Sequence, residues 1–214
     1  VGAELYGHSG LEADIEIQEL ALDLLAAIGA APATLDIGHP AVFRALLRRC
    51  KLEGGAAEAI YRALDSKDRP ALKELTAALG RDGGAFVALA RLSGGPEALA
   101  EARATLPADP AIVAALDELA ALLKYFSAQG IQPTIDLVEF GGFNYESGII
   151  FAVYLEGAID VVVRGGRNLQ AVTGTVAQVQ PDVSVQLDLG PQFEVRGRGL
   201  QARLTGQLNL RSTV

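Results

Sequence analysis

The hydrophobic period of this chain changes at Gly130, and that change limits the fold more than any other feature. Before it, apolar residues recur at helical spacing. Ile112, Leu116, Leu119, Leu123 and Phe126 line one side of a segment that Asp109 is placed to cap and whose first turn suits Pro110. After it, apolar and polar residues alternate in runs at 134–140, 147–155 and 159–164 that are rich in Val, Ile and aromatic side chains. Glu156-Gly157 offers a tight hairpin between the last two runs. Helices followed by strands joined through short Gly turns predict an α+β fold with an antiparallel sheet.

The opening 50 residues read as strand, helix, strand, helix. A short apolar segment at 1–6 precedes a helix with Ile17, Leu20, Leu24 and Ile28 on one stripe, ending near Gly29. Thr34–Ile37 alternates as a strand, and Pro40 opens a helix with Phe43, Leu46, Leu47 and Cys50 on its inner side. Residues 51–130 are rich in Ala and Leu. Stops at Gly54-Gly55, Asp68 before Pro70, Gly80, Gly83-Gly84 and Gly94-Gly95-Pro96 divide them into short helices, so this block reads as a helical insertion. Residues 131–167 resume the core as strands. In 168–214 Val183, Val185, Leu187 and Leu189 alternate with Ser184, Gln186 and Asp188, and Phe193, Val195, Leu200, Ala202 and Leu204 continue the pattern, which predicts a β-rich tail of one-sided strands.

Composition narrows the class of function. Of 214 residues 50% are hydrophobic, enough for a core, while 18 basic against 26 acidic residues give a net charge of -8 that repels phosphate backbones. Nucleic acid is therefore not an expected partner. A single cysteine, Cys50, excludes an intrachain disulfide and fits a reducing compartment; its helical context reads as a buried small hydrophobe. No apolar run is long enough to span a membrane, and Val1-Gly2-Ala3-Glu4 carries no leader pattern, so a cytoplasmic location is expected. The chain begins at Val and contains no methionine, and it reads as a piece of a longer one.

Catalytic motifs are missing from this reading. His8 and His39 lack the helical spacing of a two-histidine metal site and read as loop or surface residues, so no metal is expected. Gly141-Gly142 and Gly165-Gly166 are not followed by the Lys-Ser/Thr of a phosphate loop, and no cofactor is expected.

One constellation is specific. Gly142-Phe143-Asn144-Tyr145-Glu146-Ser147-Gly148-Ile149-Ile150-Phe151, followed by Arg164-Gly165-Gly166-Arg167, resembles the histidine-recognition segment of class II histidyl-tRNA synthetases and the Gly-Gly-Arg turn beyond it. Upstream, Gly2-Ala3-Glu4-Leu5-Tyr6-Gly7 with Asp14-Ile15-Glu16 resembles the end of the synthetase motif 2 region and the helix behind it. The resemblance implies a histidine-derived pocket formed by Glu4, Tyr145, Glu146 and Gly148. In such a pocket an acidic side chain holds an α-ammonium, an aromatic closes a wall, and a Gly-flanked strand end admits the ligand. On pattern alone, Tyr145 and Phe151 are equally sheet-packing aromatics and Glu4 a surface charge.

Departures from the synthetase pattern carry as much weight. The arginine that precedes the synthetases' Gly-Leu-Asp-Tyr-Tyr run is Gly141 here, the second tyrosine is Glu146, and the regions of motif 1 and of the ATP-binding arginine of motif 2 lie outside the sequence. A cation that would stabilise charge developing on phosphate is missing, so synthetase activity is not expected. Over about residues 1–167, with the run Leu35-Asp36-Ile37-Gly38-His39-Pro40, the chain is similar to the regulatory subunits of short-form ATP phosphoribosyltransferase. That resemblance implies a noncatalytic, allosteric subunit that joins a short catalytic subunit in a hetero-oligomer, supports the first step of histidine biosynthesis and takes part in feedback by histidine.

Residues 169–214 are similar instead to the β-repeats of TamB-type translocation and assembly proteins, which implies a junction near Arg167 and, as an alternative function, an envelope β-structure. Without the missing strand and helix of motif 1, an incomplete sheet, marginal stability and loss of the family's usual dimer are expected.

Overall fold

The fold was obtained as a computed structural model, which describes residues 2–5, 10–30, 32–138, 146–156, 161–170, 180–187, 195–197, 200–202 and 209–212; for some strand residues, Glu4 and Glu146 among them, it describes the backbone alone. In chain order the elements are β1 (Gly2–Leu5), α1 (Leu11–Ala27), β2 (Pro32–Gly38), α2 (Ala41–Cys50), α3 (Gly54–Asp65), α4 (Arg69–Leu75), a 3-10 turn (Ala77–Leu79) and α5 (Gly80–Leu89). They continue with β3 (Ser93–Gly94), α6 (Pro96–Thr105), α7 (Pro110–Ala128), β4 (Thr134–Asp136), β5 (Glu146–Leu155), β6 (Val163–Gln170), β7 (Gln180–Leu187), β8 (Val195–Gly197), β9 (Leu200–Ala202) and β10 (Asn209–Ser212). The mixed α+β class expected from the change of period is found. Two compact units are present, one of Val1–Asp36 with Asn144–Val214, the other of Ile37–Phe143.

The first unit is a sheet with a helix along one side. Its strands lie in the order β10-β1-β7-β6-β5-β2. β7 pairs antiparallel with both β1 and β6, and β5 pairs antiparallel with β6; β10 runs parallel to β1. α1 packs against β7, β6 and β1. Its buried residues are Ala13, Asp14, Ile17, Gln18, Ala21, Leu22 and Leu25. The stripe expected from Ile17, Leu20, Leu24 and Ile28 is thus rotated, for Leu20, Leu24 and Ile28 are only half-buried. Leucines occur all round this helix, so hydrophobicity alone does not select a side; Asp14, buried against Arg167, does. Gly29 stops the helix at φ 76, where its N–H reaches the Ala26 carbonyl at 3.0 Å, an arrangement open to glycine because it has no Cβ.

The tail is not separate from this sheet. β6 runs without a break across Arg167, and β7 sits between β6 and β1 with Val163 opposite Leu187 and Ala3 opposite Val185. The expected junction near Arg167 is therefore corrected: residues 180–187 complete the sheet that residues 2–5 begin. The expected alternation of side chains from 182 to 204 lies outside the described residues, but the described parts of 180–212 are strands, as the alternation predicts.

The second unit is helical and wider than residues 51–130, because α2 packs on α7 and α5 and so belongs to it. Phe43, Leu46, Ile60, Leu64, Leu72, Phe86, Leu89, Leu92 and Phe126 form its core, each fully buried. The Phe43 and Phe86 rings meet edge to face at 6.0 Å. β4 is shorter than the expected 134–140 strand; it pairs antiparallel with β3, and Val138 turns back to hydrogen-bond its N–H to Asp136 Oδ1 at 2.9 Å. The hairpin at Glu156-Gly157 lies partly outside the described residues.

Gly83-Gly84 does not end a helix, contrary to the expectation; α5 runs through both. A Cβ on Gly83 would collide with the Thr76 carbonyl oxygen, whereas one on Gly84 meets nothing within 4 Å. The Thr76 hydroxyl donates to the Leu72 carbonyl at 2.6 Å and lies 3.3 Å from that of Gly83, which fixes this close crossing. Gly84→Ala is therefore expected to raise stability by about 0.5–1 kcal/mol through the helical preference of alanine. Gly83→Ala should lower it by roughly 1–3 kcal/mol through overpacking. Urea unfolding of the two variants checks the opposite signs.

Candidate functional site

Strand register places the candidate residues in the first unit. Glu4 stands opposite Ser184, Ser184 opposite Gly166, and Gly166 opposite Ile150, so one row crosses β1, β7, β6 and β5. Asp182, Asn168 and Glu146 form a second row, two residues along β7 and β6. Because the pleat alternates residue by residue, these two rows share a phase, and the Val183–Arg167 row between them has the opposite one. Glu4 and Glu146 thus stand in two rows of one sheet, two residues apart, although they are far apart in sequence. Gly166, in the middle of the first row, is buried and carries no side chain. Tyr145 lies outside the described residues, as do Gly141 and His8.

Gly148 has a different neighbour. It is buried in β5, and a Cβ built on it would stand 2.9 Å from Arg167 Cδ and Nε and 3.1 Å from Arg167 Cβ. Arg167 in turn donates from Nε to Asp14 Oδ1 at 3.2 Å and from its terminal nitrogen to Asp14 Oδ2, making a bidentate pair with α1. The side chains are 12% and 1% exposed, so this is a buried ion pair whose charges depend on each other. One helical turn on, Gln18 is fully buried and neither its Nε2 nor its Oε1 has a hydrogen-bond partner among the described residues. These three residues were not singled out as site residues from sequence. The available signal was two polar side chains at i, i+4 on a helix otherwise lined by Ala, Ile and Leu, but the arginine that pairs with the first of them is 153 residues away.

Histidine chemistry is not evident elsewhere. His39 is in a loop, as expected, but is buried rather than at the surface: Nδ1 accepts from the Ala41 N–H at 3.3 Å, helping to start α2, and Nε2 faces Glu118 at 3.5 Å. Cys50 is half-buried, and desolvation, with Asp82 adding to it, pushes its thiol above the ordinary value, which disfavours the thiolate. Among the described residues no cluster of three or more His, Cys, Asp or Glu could hold a metal, and no helix is long and apolar enough to cross a membrane. A groove of about 350 Å³ in the second unit is lined by Lys73, Thr76 and Arg91, but Arg91 is already engaged by Glu101 at 2.6 Å.

A structure described as an ATP phosphoribosyltransferase regulatory subunit/histidyl-tRNA synthetase from Bacillus halodurans superposes with a TM-score of 0.74 at 24% identity, over 86% of this chain and 49% of that one. One described as the ATP phosphoribosyl transferase (HisG:HisZ) complex from Thermotoga maritima superposes with a TM-score of 0.65 at 19% identity, over 86% and 64%. Together with the sheet order and the helix behind it, these define a class II aminoacyl-tRNA-synthetase-like fold. The chain belongs to the histidyl-tRNA synthetase family, whose sequence model matches residues 1–178. An ATP phosphoribosyltransferase regulatory subunit of Cupriavidus taiwanensis is 44% identical over 190 residues, which is 88% of this chain and 49% of that protein. The chain thus spans about half the length of such relatives. The family match passes Arg167 and continues into the tail, so the translocation-and-assembly resemblance of residues 169–214 is not supported.

Proposed function

We propose that this chain is part of a noncatalytic regulatory subunit of ATP phosphoribosyltransferase, which partners the short catalytic subunit in the cytoplasm and senses histidine. The observation that carries the reading is 44% identity over 190 residues to proteins of that name, joined to a synthetase-like sheet that holds both Glu4 and Glu146. A zwitterionic amino acid suits such a place: Glu4 provides a carboxylate for the α-ammonium and Tyr145 an aromatic wall. Gly148 enters this site as the seat of Arg167. Gly141 and Glu146, in place of an arginine and a tyrosine, leave no cation for an aminoacyl-adenylate step. Binding without turnover is the consequence. Feedback then requires that histidine bind one assembly state better than another.

Calorimetric titration of the full-length protein with histidine tests the site. Glu4→Ala is expected to weaken binding by about tenfold or more, the loss of a charge-assisted hydrogen bond. Equal binding by both proteins would remove Glu4 from the site. In parallel, the protein is expected to raise the phosphoribosyl-transfer rate of a short catalytic subunit and to show no histidine-dependent pyrophosphate exchange; exchange above background would make it an enzyme.

A further inference from the structure

We propose that Arg167 is a positioning residue for the ligand side of the sheet: lying across Gly148 and gripped by Asp14, it sets the irregularity in β5 through which Glu146 reaches its place. The inference rests on the ligand reading above for its functional meaning, and on the register for its geometry. From Val153 opposite Val163 to Ile150 opposite Gly166 the two strands pair one for one. The next pair is Glu146 opposite Asn168, so four steps along β5 are matched by two along β6. The surplus lies between Glu146 and Ile150, and Gly148 is its midpoint. Arg167 is the β6 residue between Gly166 and Asn168, hence the one that faces the surplus.

Three features hold this place. Gly148 has no side chain, and any Cβ there would stand within about 3 Å of Arg167, so the arginine can lie flat on the strand only over glycine. The guanidinium is fixed at its other end by both oxygens of a carboxylate that is 1% exposed. Asp14 is itself carried by α1, which packs across β7, β6 and β1. A bulge re-aims the residues beyond it, and Glu146 is the first residue of β5 beyond this one. Arginine is required rather than a generic cation, because only a planar fork spans a strand and closes on two oxygens together. Arg167 therefore acts through Glu146 and does not touch ligand.

The test compares wild type, Arg167→Lys and a control of lowered stability in the helical unit, Gly83→Ala, all at a temperature where circular dichroism shows each fully folded. Two quantities are read: the histidine dissociation constant by calorimetry, and the amide chemical shift of Glu146 in ligand-free protein. Arg167→Lys is expected to weaken histidine binding by about tenfold and to move the Glu146 amide resonance, with both unchanged in the control. A Glu146 amide that stays in place in Arg167→Lys overturns the proposal, and so does unchanged affinity. If wild type does not bind histidine, the ligand reading falls, while the Glu146 shift still decides whether Arg167 sets this strand. Should Arg167→Lys fail to fold, Gly148→Ala, which pushes the arginine from its seat, is read in the same two ways.

Discussion

Asp14→Ala is expected to destabilise the folded chain by about 3–5 kcal/mol, the loss found when one partner of a buried ion pair is removed. The reason is the position of Arg167. Its side chain is 12% exposed and its fork lies against both Asp14 oxygens, so without them a guanidinium stays buried beside Gly148 having lost this carboxylate. Replacing both members with apolar residues of similar volume should cost far less than either single change, since no charge is then left alone. Chemical denaturation of Asp14→Ala, Arg167→Met and Asp14→Leu/Arg167→Met closes this cycle. Additive losses in the double variant would show that the two side chains are not coupled.

Phe86→Ala should cost about 3–5 kcal/mol, the range for removing a buried aromatic ring. Phe86 is fully buried in the second unit, and its ring meets Phe43, which in turn lies 6.4 Å from the Tyr61 ring. A cavity at the junction of α2, α3 and α5 cannot close without shifting three helices at once. Phe86→Leu, which retains most of the volume, should lose roughly 1–2 kcal/mol. Thermal unfolding ranks the pair; equal midpoints for the alanine and leucine variants would mean that the helices collapse onto the gap.

What the sequence discloses depends on how far each element's determinants reach. α7 was readable in full because everything that shapes it is local. Asp109 Oδ1 accepts from the Ala111 N–H at 2.9 Å, Pro110 begins the helix, Ile112, Leu116, Leu119, Leu123 and Phe126 are buried, and Gly130 follows at φ 81. Asp68 likewise caps α4 through the Ala71 N–H at 3.0 Å. α1 was misread in phase because its buried side is chosen by Asp14, whose partner Arg167 sits on another element. The glycines at 83 and 84 were misread as a stop because only the Thr76 crossing, seven residues upstream, explains the first of them. At the candidate site the motif led to Glu4, Tyr145, Glu146 and Gly148, yet strand register was needed to place Glu4 and Glu146 in one sheet. The tail was assigned elsewhere because alternation says that a segment is a strand and not which strands it joins.

The place of β7 also dictates an order of events during synthesis. β1 and its neighbour across the antiparallel ladder, Val185 opposite Ala3, are separated by most of the described chain. Until β7 is made, the edge of β1 that it will cover stays open. The helical unit of residues 37–143 is encoded entirely within that interval and is rich in short-range contacts, the kind that form fastest. Domains emerging from the ribosome fold as units in the order they appear, so the helices are in place while the sheet is still half-made. A nascent chain interrupted before residue 180 thus has helices, the β5–β6 pair and both candidate glutamates, but no strand to bring them together.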